Sequence, residues 1–229
     1  MVNIMTRLLG MLSTSQPWVR WSWVRTHLHV IRHEVWQHLL LTLLAVGIGL
    51  LITFVLATLA RAWRPLEGPL LALCGTLYAI PSLALFAVLV PFTGFTTTTA
   101  EIGLVGYTLL ILLRNLLTGL DAVPADVRDA ARGMGFGRWR MFTRVELPLA
   151  LPALFAGIRV ATVTTVGLVT VTVFIGQGGL GAMLMEGFQN TFRTEELVGA
   201  VLVVALAVAA DLVLVGVQRV LTPWTRRAS

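Results

Sequence analysis

One run of residues constrains this chain before anything else does. Positions 39–60 hold 22 consecutive residues without a charged side chain. At ~1.5 Å per residue, a helix of that length crosses the ~30 Å hydrocarbon layer of a bilayer. Lipid offers no partner to a backbone N–H or C=O, so the run must pair its own groups as a helix. Four further apolar runs follow, at about 70–90, 102–120, 153–175 and 198–217. The expectation is an all-α, polytopic membrane protein with about five transmembrane helices. Residues 1–38 form an N-terminal extension, 39–217 a transmembrane domain, and 218–229 a tail. A long loop, 121–152, sits inside the transmembrane domain.

Composition agrees and narrows the function classes. Only 12% of the 229 residues are charged, against roughly 25% in a soluble domain, and the mean hydropathy is +0.86. The net charge of +6 does not point to nucleic acid. The basic residues gather between apolar runs, the pattern of membrane topology, and no nucleic-acid-binding motif is present. All 17 basic residues are Arg. Without Lys there is no phosphate-gripping GxxxxGK[ST] loop and no Schiff-base or catalytic lysine. The single cysteine, Cys74, lies in an apolar run, so no intrachain disulfide forms and a thiol metal site is not expected. After Arg7, only residues 8–12 form an apolar core, too short for a cleaved signal peptide.

The segment from Trp18 to His38 mixes Trp, Arg and His with Val and Leu. It reads as an amphipathic helix lying at the membrane interface, an anchor for the first span. His29 and His33 have i, i+4 spacing but no carboxylate pattern behind them, so no metal site is expected. Arg asymmetry sets the orientation. Ten Arg fall on one side, in the loop after span 1, the 121–152 loop and the tail; one, Arg193, falls on the other. The positive-inside rule then places the 121–152 loop and the C-terminus in the cytoplasm.

Within the spans, Pro81-Ser82 interrupts the second run. A mid-span proline frees backbone carbonyls, which is tolerated against protein or a wet cavity. It is either a plain kink or a break lining a path. Arg114, Arg159 and Asp211 are the ionisable residues inside spans. They are candidate pathway or gating residues. Each also lies near the cytoplasmic end, where Arg snorkels or pairs with Asp211. Gly176-Gln177-Gly178-Gly179-Leu180-Gly181 fits GxGxxG, yet a membrane-length run precedes it in place of a βαβ strand. It reads as a tight turn that lets helix ends approach. The stretch 91–101 reads as a short polar loop. No Ser/His/Asp, HExxH or paired-carboxylate arrangement is present, so the chain reads as a passage without an engine.

The loop carries the most specific signal. From Val123 it reads VPADVRDAARGMG. Pro124 suits a helix start, and Asp126 and Asp129 suit its positive end. Val127, Ala130, Ala131 and Met134 fall at helical spacing as a stripe of small residues. Gly135 either ends the helix or allows close approach. Arg138 to Val145 begins a second helix, with Leu147-Pro148 stopping it. Such a stripe suits insertion into a partner's groove; Arg and Trp also suit lipid headgroups.

This loop resembles the EAA loop of the integral-membrane subunits of bacterial ABC importers. That pattern is EAA, three residues, Gly, nine residues, an aliphatic, one residue, Leu-Pro. Asp129-Ala130-Ala131, Gly135, Val145 and Leu147-Pro148 keep its spacing, with Asp in place of the usual Glu. The resemblance implies a type I, methionine-importer-like permease fold in the bacterial plasma membrane. It also implies that the loop docks into a cleft of a separate ATPase subunit, with Met134 on the same surface. Implied partners are two ATPase subunits, a second permease chain (the same or related), an extracytoplasmic substrate-binding protein and membrane lipid. No cofactor belongs to this chain; ATP and Mg would be bound by the ATPase.

Other stretches resemble the branch serving glycine betaine, carnitine, choline and related osmolytes. They are Ala79-Ile80-Pro81-Ser82-Leu83-Ala84-Leu85, Leu113-Arg114-Asn115, Ala156-Gly157-Ile158-Arg159 and Phe174 to Gly181. The resemblance covers about 36–221. The segment Thr98-Thr99-Ala100-Glu101 lacks an expected proline, and the first 35 residues have no counterpart. The implied function is a permease for a quaternary-ammonium osmolyte, with Tyr78 and Tyr107 available to a cation. The alternatives are a permease for another small solute such as an amino acid, an autonomous secondary transporter, and a membrane scaffold or enzyme.

Overall fold

The computed structural model describes residues 17–224. The readings placed on Arg7, on residues 8–12 and on Arg226 and Arg227 of the tail lie outside the described residues. Those described are helical, with no strand among them. In order come α1 (Trp21–Thr26), α2 (Leu28–Ala62), a 3-10 turn (Arg64–Leu66), α3 (Glu67–Ala79) and α4 (Ser82–Thr93). Then follow α5 (Thr97–Asp121), α6 (Ala125–Gly133), α7 (Arg138–Met141), a π turn (Phe142–Glu146) and α8 (Leu147–Val169). A 3-10 segment (Thr170–Ile175), α9 (Leu180–Gln189) and α10 (Arg193–Leu221) complete the chain. Four helical stretches are long and apolar enough to cross a membrane: α2, α5, residues 138–175 and α10. The bent pair of α3 and α4, broken by 96°, makes a fifth when taken as one span.

Helix α5 forms the centre. Its Leu113, Leu116, Leu117 and Leu120 are buried with Ala57 and Ala60 of α2 and Ala150 and Leu154 of α8. Closer to the N-terminus of α5, Ala100, Leu104 and Val105 pack on Leu41, Phe86 and Val169. Helix α10 lies outside this core. It touches α8 and α9 and leaves Val201, Val204, Val208 and Leu212 exposed. That apolar face suits lipid or another chain and not water.

Three boundaries differ from the sequence reading. The N-terminal extension was expected to end at His38, after an interfacial helix. Instead only the six residues of α1 stand apart, and α2 runs unbroken for 35 residues from Leu28. Its charged first turns continue the helix because one face is buried within the protein. Ile31 packs on Leu180 and Met183, and His38 is fully buried. His38 Nε2 donates to the Val166 carbonyl at 3.0 Å, and Nδ1 accepts the Leu180 N–H at 3.2 Å. A carbonyl only accepts and an amide N–H only donates, so these partners fix a neutral tautomer.

The second difference is the proline. At Ile80–Pro81 the chain breaks, where a kink was one of the two readings. The orphaned Ile80 carbonyl accepts the hydroxyl of Tyr107 from α5. A neighbouring side chain thus satisfies the group that the break exposes. Third, the expected polar loops are shorter. Helix α4 continues through Pro91 to Thr93, and α5 starts at Thr97 with the Thr96 hydroxyl accepting the Thr99 N–H. The stretch after Gly181 likewise contains α9. The Gly-rich segment is a tight turn: a Cβ on Gly181 would lie 2.4 Å from the Thr170 carbonyl oxygen, and one on Gly178 2.3 Å from Gln37 Oε1.

Candidate functional site

The 121–152 loop is built around α6. Pro124 stands just before the helix, at the cap, and Asp126 lies in the first turn. The other end closes on Gly135, at φ +78°. There the Phe136 N–H reaches the Ala131 carbonyl at 3.1 Å and the Gly135 N–H the Arg132 carbonyl at 2.9 Å. This pair of bonds satisfies the last carbonyls and requires a left-handed residue, which glycine adopts without a Cβ clash.

The small-residue stripe does not stay together; it is divided between two faces. Ala131 is buried at 2% exposure and Val127 half-buried. Beside them Arg128 holds the helix down: its Nε donates to Glu146 Oε1 at 2.9 Å and its Nη2 to the Leu120 carbonyl. The opposite face carries Asp126, Asp129, Ala130, Gly133 and Met134, all exposed. Among the described residues Asp129 pairs only with Arg132 on the same helix, at 2.8 Å, and both stay open to solvent. The outward face is therefore small in the middle, acidic at its start and apolar at Met134.

Beyond Gly135 the expected second helix does not stop at Leu147-Pro148. Helix α7 passes through the π turn directly into α8. Within that turn the Leu147 N–H bonds to the Phe142 carbonyl, five residues back. Pro148 has no N–H to give, and it directly follows the π turn, where the backbone pairing has already shifted by one residue. Val145, Leu147 and Pro148 are half-buried, under the loop and away from its outward face. The loop residues thus separate into outward, exposed positions (Asp129, Ala130, Met134), a packed position (Ala131) and positions that shape the backbone beneath (Gly135, Val145, Leu147, Pro148). Sequence reasoning missed the clamp of Arg128 and Glu146. Opposite charges 18 residues apart carry no local signature.

The residues singled out inside the spans do not gather at this loop. Arg159 of α8 and Asp211 of α10 form a two-pronged ion pair, Nε to Oδ1 at 2.7 Å and Nη2 to Oδ2 at 2.9 Å. It makes a polar tie between the core and the peripheral helix. Asp211→Asn should lower the melting temperature of the detergent-solubilised protein. Exchanging the two residues, Arg159→Asp with Asp211→Arg, should recover most of that loss, as read by a fluorescence melt. Arg114 is exposed and makes no ion pair with a described residue. Pro81 is exposed and Ser82 half-buried, at the break between α3 and α4. Tyr78 and Tyr107 meet edge to face beside it, with ring centroids 5.9 Å apart.

Residues 45–227 match the family described as binding-protein-dependent transport system inner membrane component. The chain is 37% identical over 192 residues to the osmoprotectant import permease protein OsmW of Salmonella typhimurium, covering 82% of this chain and 89% of that one. It is 32% identical over 203 residues to the glycine betaine/carnitine/choline transport system permease protein OpuCB of Bacillus subtilis, covering 88% and 93%. With the choline transport system permease protein OpuBB of the same organism it shares 33% over 192 residues, covering 83% and 88%. Among solved structures, the inward-facing MetNI methionine ABC transporter superposes with a TM-score of 0.76 at 22% identity, over 86% of this chain and 98% of that one. That likeness establishes the all-helical permease fold. The match over four-fifths of the sequence, on the same helical frame, establishes more: the chain belongs to the family of binding-protein-dependent transport system inner membrane components.

Proposed function

We propose that this chain is the membrane permease of an ATP-driven importer for a quaternary-ammonium osmolyte such as glycine betaine, choline or carnitine. The family brings with it an ATPase and a substrate-binding protein as partners. Osmoprotectant, glycine betaine, carnitine and choline appear in the names of its relatives, and these supply the substrate class. The observation that carries the mechanism is the outward face of α6, held rigidly by the Arg128–Glu146 clamp and the Gly135 cap. In this reading the face docks in the cytoplasm with one of two ATPase subunits. A second permease chain completes the path. Movement of the ATPases carries α6, and α6 moves α8 through the continuous helix that begins at Arg138.

Two experiments test this. Cells lacking their own osmolyte importers, supplied with this chain, its ATPase and its binding protein, should take up radiolabelled betaine, choline or carnitine in an ATP-dependent manner. Uptake of amino acids with no uptake of these compounds would replace the substrate assignment. Orientation is read separately. In a Cys74→Ser background, Met134→Cys should react with an impermeant maleimide in inside-out vesicles and stay unlabelled in intact cells. Labelling from outside would invert the topology.

A further inference from the structure

A cleft of about 650 Å³ opens between the end of α2, the inner side of α6 and the segment leading into α7. Five arginines border it: Arg61, Arg64, Arg128, Arg132 and Arg138. Glu146 is the single acidic residue in its lining, and Arg128 occupies it. Arg132 is held by Asp129 outside the cleft. Arg64 and Arg138 make no ion pair with a described residue. Arg61 is tied to Asp121 through Nη1 at 2.8 Å, while its Nε and Nη2 are buried without an acceptor.

Unpaired buried guanidinium donors are costly, because each has lost water and gained nothing. Positive charge concentrated in one concavity adds repulsion that an anion would relieve. A planar guanidinium offers the paired donors that match phosphate oxygens. The other walls are aromatic: Trp139 and Phe142 stand 6.2 Å apart, and Phe136 stacks under Arg140. Trp63, at the end of α2, is exposed next to Arg64. A belt of Trp and Arg where a span ends is the composition of the headgroup layer.

We propose that this arginine-walled cleft binds a phosphate-bearing anion, with Arg61, Arg64 and Arg138 as its ligands. A phospholipid headgroup and a soluble phosphate share that chemistry. The headgroup would enter from the end of α2, and bound there it would brace the inner side of α6 against the bundle. The site is separate from the outward face of α6 and does not depend on which solute is carried.

The test uses the full-length chain and the double variant Arg64→Gln/Arg138→Gln, which leaves all four ion pairs in place. In vesicles of phosphatidylcholine with phosphatidylglycerol, native mass spectrometry should find phosphatidylglycerol retained by the wild type. The variant should bind it about tenfold more weakly or worse, and Arg64→Lys/Arg138→Lys should restore much of the binding. In lipid-free detergent, inorganic phosphate is the second probe. A rise in melting temperature with phosphate, absent from the Gln variant, identifies a soluble source. Should the Gln variant not fold, quenching by brominated phosphatidylglycerol decides, compared between wild type and Trp139→Phe. The proposal is overturned if neither anion distinguishes wild type from variant. It is also overturned if the variant loses only its ATPase, which would assign these arginines to a protein contact. Failure of betaine uptake would bear on the proposed function and leave this result untouched.

Discussion

Ala130→Arg is expected to abolish uptake while the permease itself folds normally. Ala130 is exposed at the centre of the outward face of α6, so a long side chain there meets no neighbour in the isolated chain. Exposed helical changes of this kind move stability by about 0.5 kcal/mol or less. In the assembled transporter the same position would lie in the ATPase groove. A bulky cation there would block close approach and leave a buried, unpaired charge, a loss of 2 kcal/mol or more at a contact centre, about 30-fold in association. Co-purification of the ATPase and substrate uptake should fall together, with an unchanged melting temperature. The neighbouring change, Ala131→Arg, serves as the contrast. Ala131 is 2% exposed, so its replacement should unfold the loop and lower the melting temperature as well. If Ala130→Arg leaves both association and uptake intact, the outward face is not the docking face.

Glu146→Ala should have the second large effect, through loop rigidity. It removes the carboxylate from Arg128 and leaves that half-buried guanidinium with the Leu120 carbonyl alone. Removing one member of a buried pair costs about 3–5 kcal/mol, and partial exposure brings this nearer 2. Amide exchange across 125–137 should then speed by about 30-fold, since 1.4 kcal/mol is a factor of ten. Exchange within α5 should not change. Uptake should fall through a floppier α6 even though no outward residue was altered. Replacing both partners with apolar side chains, Arg128→Met with Glu146→Leu, should recover part of the protection, because no charge is then stranded. Equal exchange in wild type and Glu146→Ala would show that the loop is held by other contacts.

What was legible in the sequence was whatever repeats along it. Uncharged runs of 20 residues announce helices because lipid leaves the backbone no alternative. Gly135 announced the end of α6 because few residues tolerate a positive φ. The EAA-like register located the loop. What stayed hidden depends on partners distant in sequence. His38 looked like one more interfacial histidine, and only the Val166 carbonyl and the Leu180 amide, more than 120 residues away, make it a bolt through the bundle. The start of α2 was placed 11 residues late because the segment up to His38, with its Trp, Arg and His, reads as an interfacial helix of its own. A helix that buries one face in protein tolerates charges on the other. Leu147-Pro148 looked like a stop because a proline ends a helix entered from its N-terminal side, whereas here the turn before it is wound differently.

That turn has a consequence for how the chain tolerates change in length. A π turn is an α-helix carrying one extra residue. Deleting a single residue between Phe142 and Glu146 would let the segment rewind as plain α-helix. The helix on either side would keep its facing, because the wide turn takes up the extra residue without turning its flanks. Arg138, Trp139 and the attachment of α6 would stay on their present side, whereas the same deletion in the plain α-helix of α8 would swing them by about 100° about the axis. Loops on a protein surface ordinarily absorb insertions and deletions. This one is geared to a transmembrane helix, and the wide turn is where that gearing carries a spare tooth.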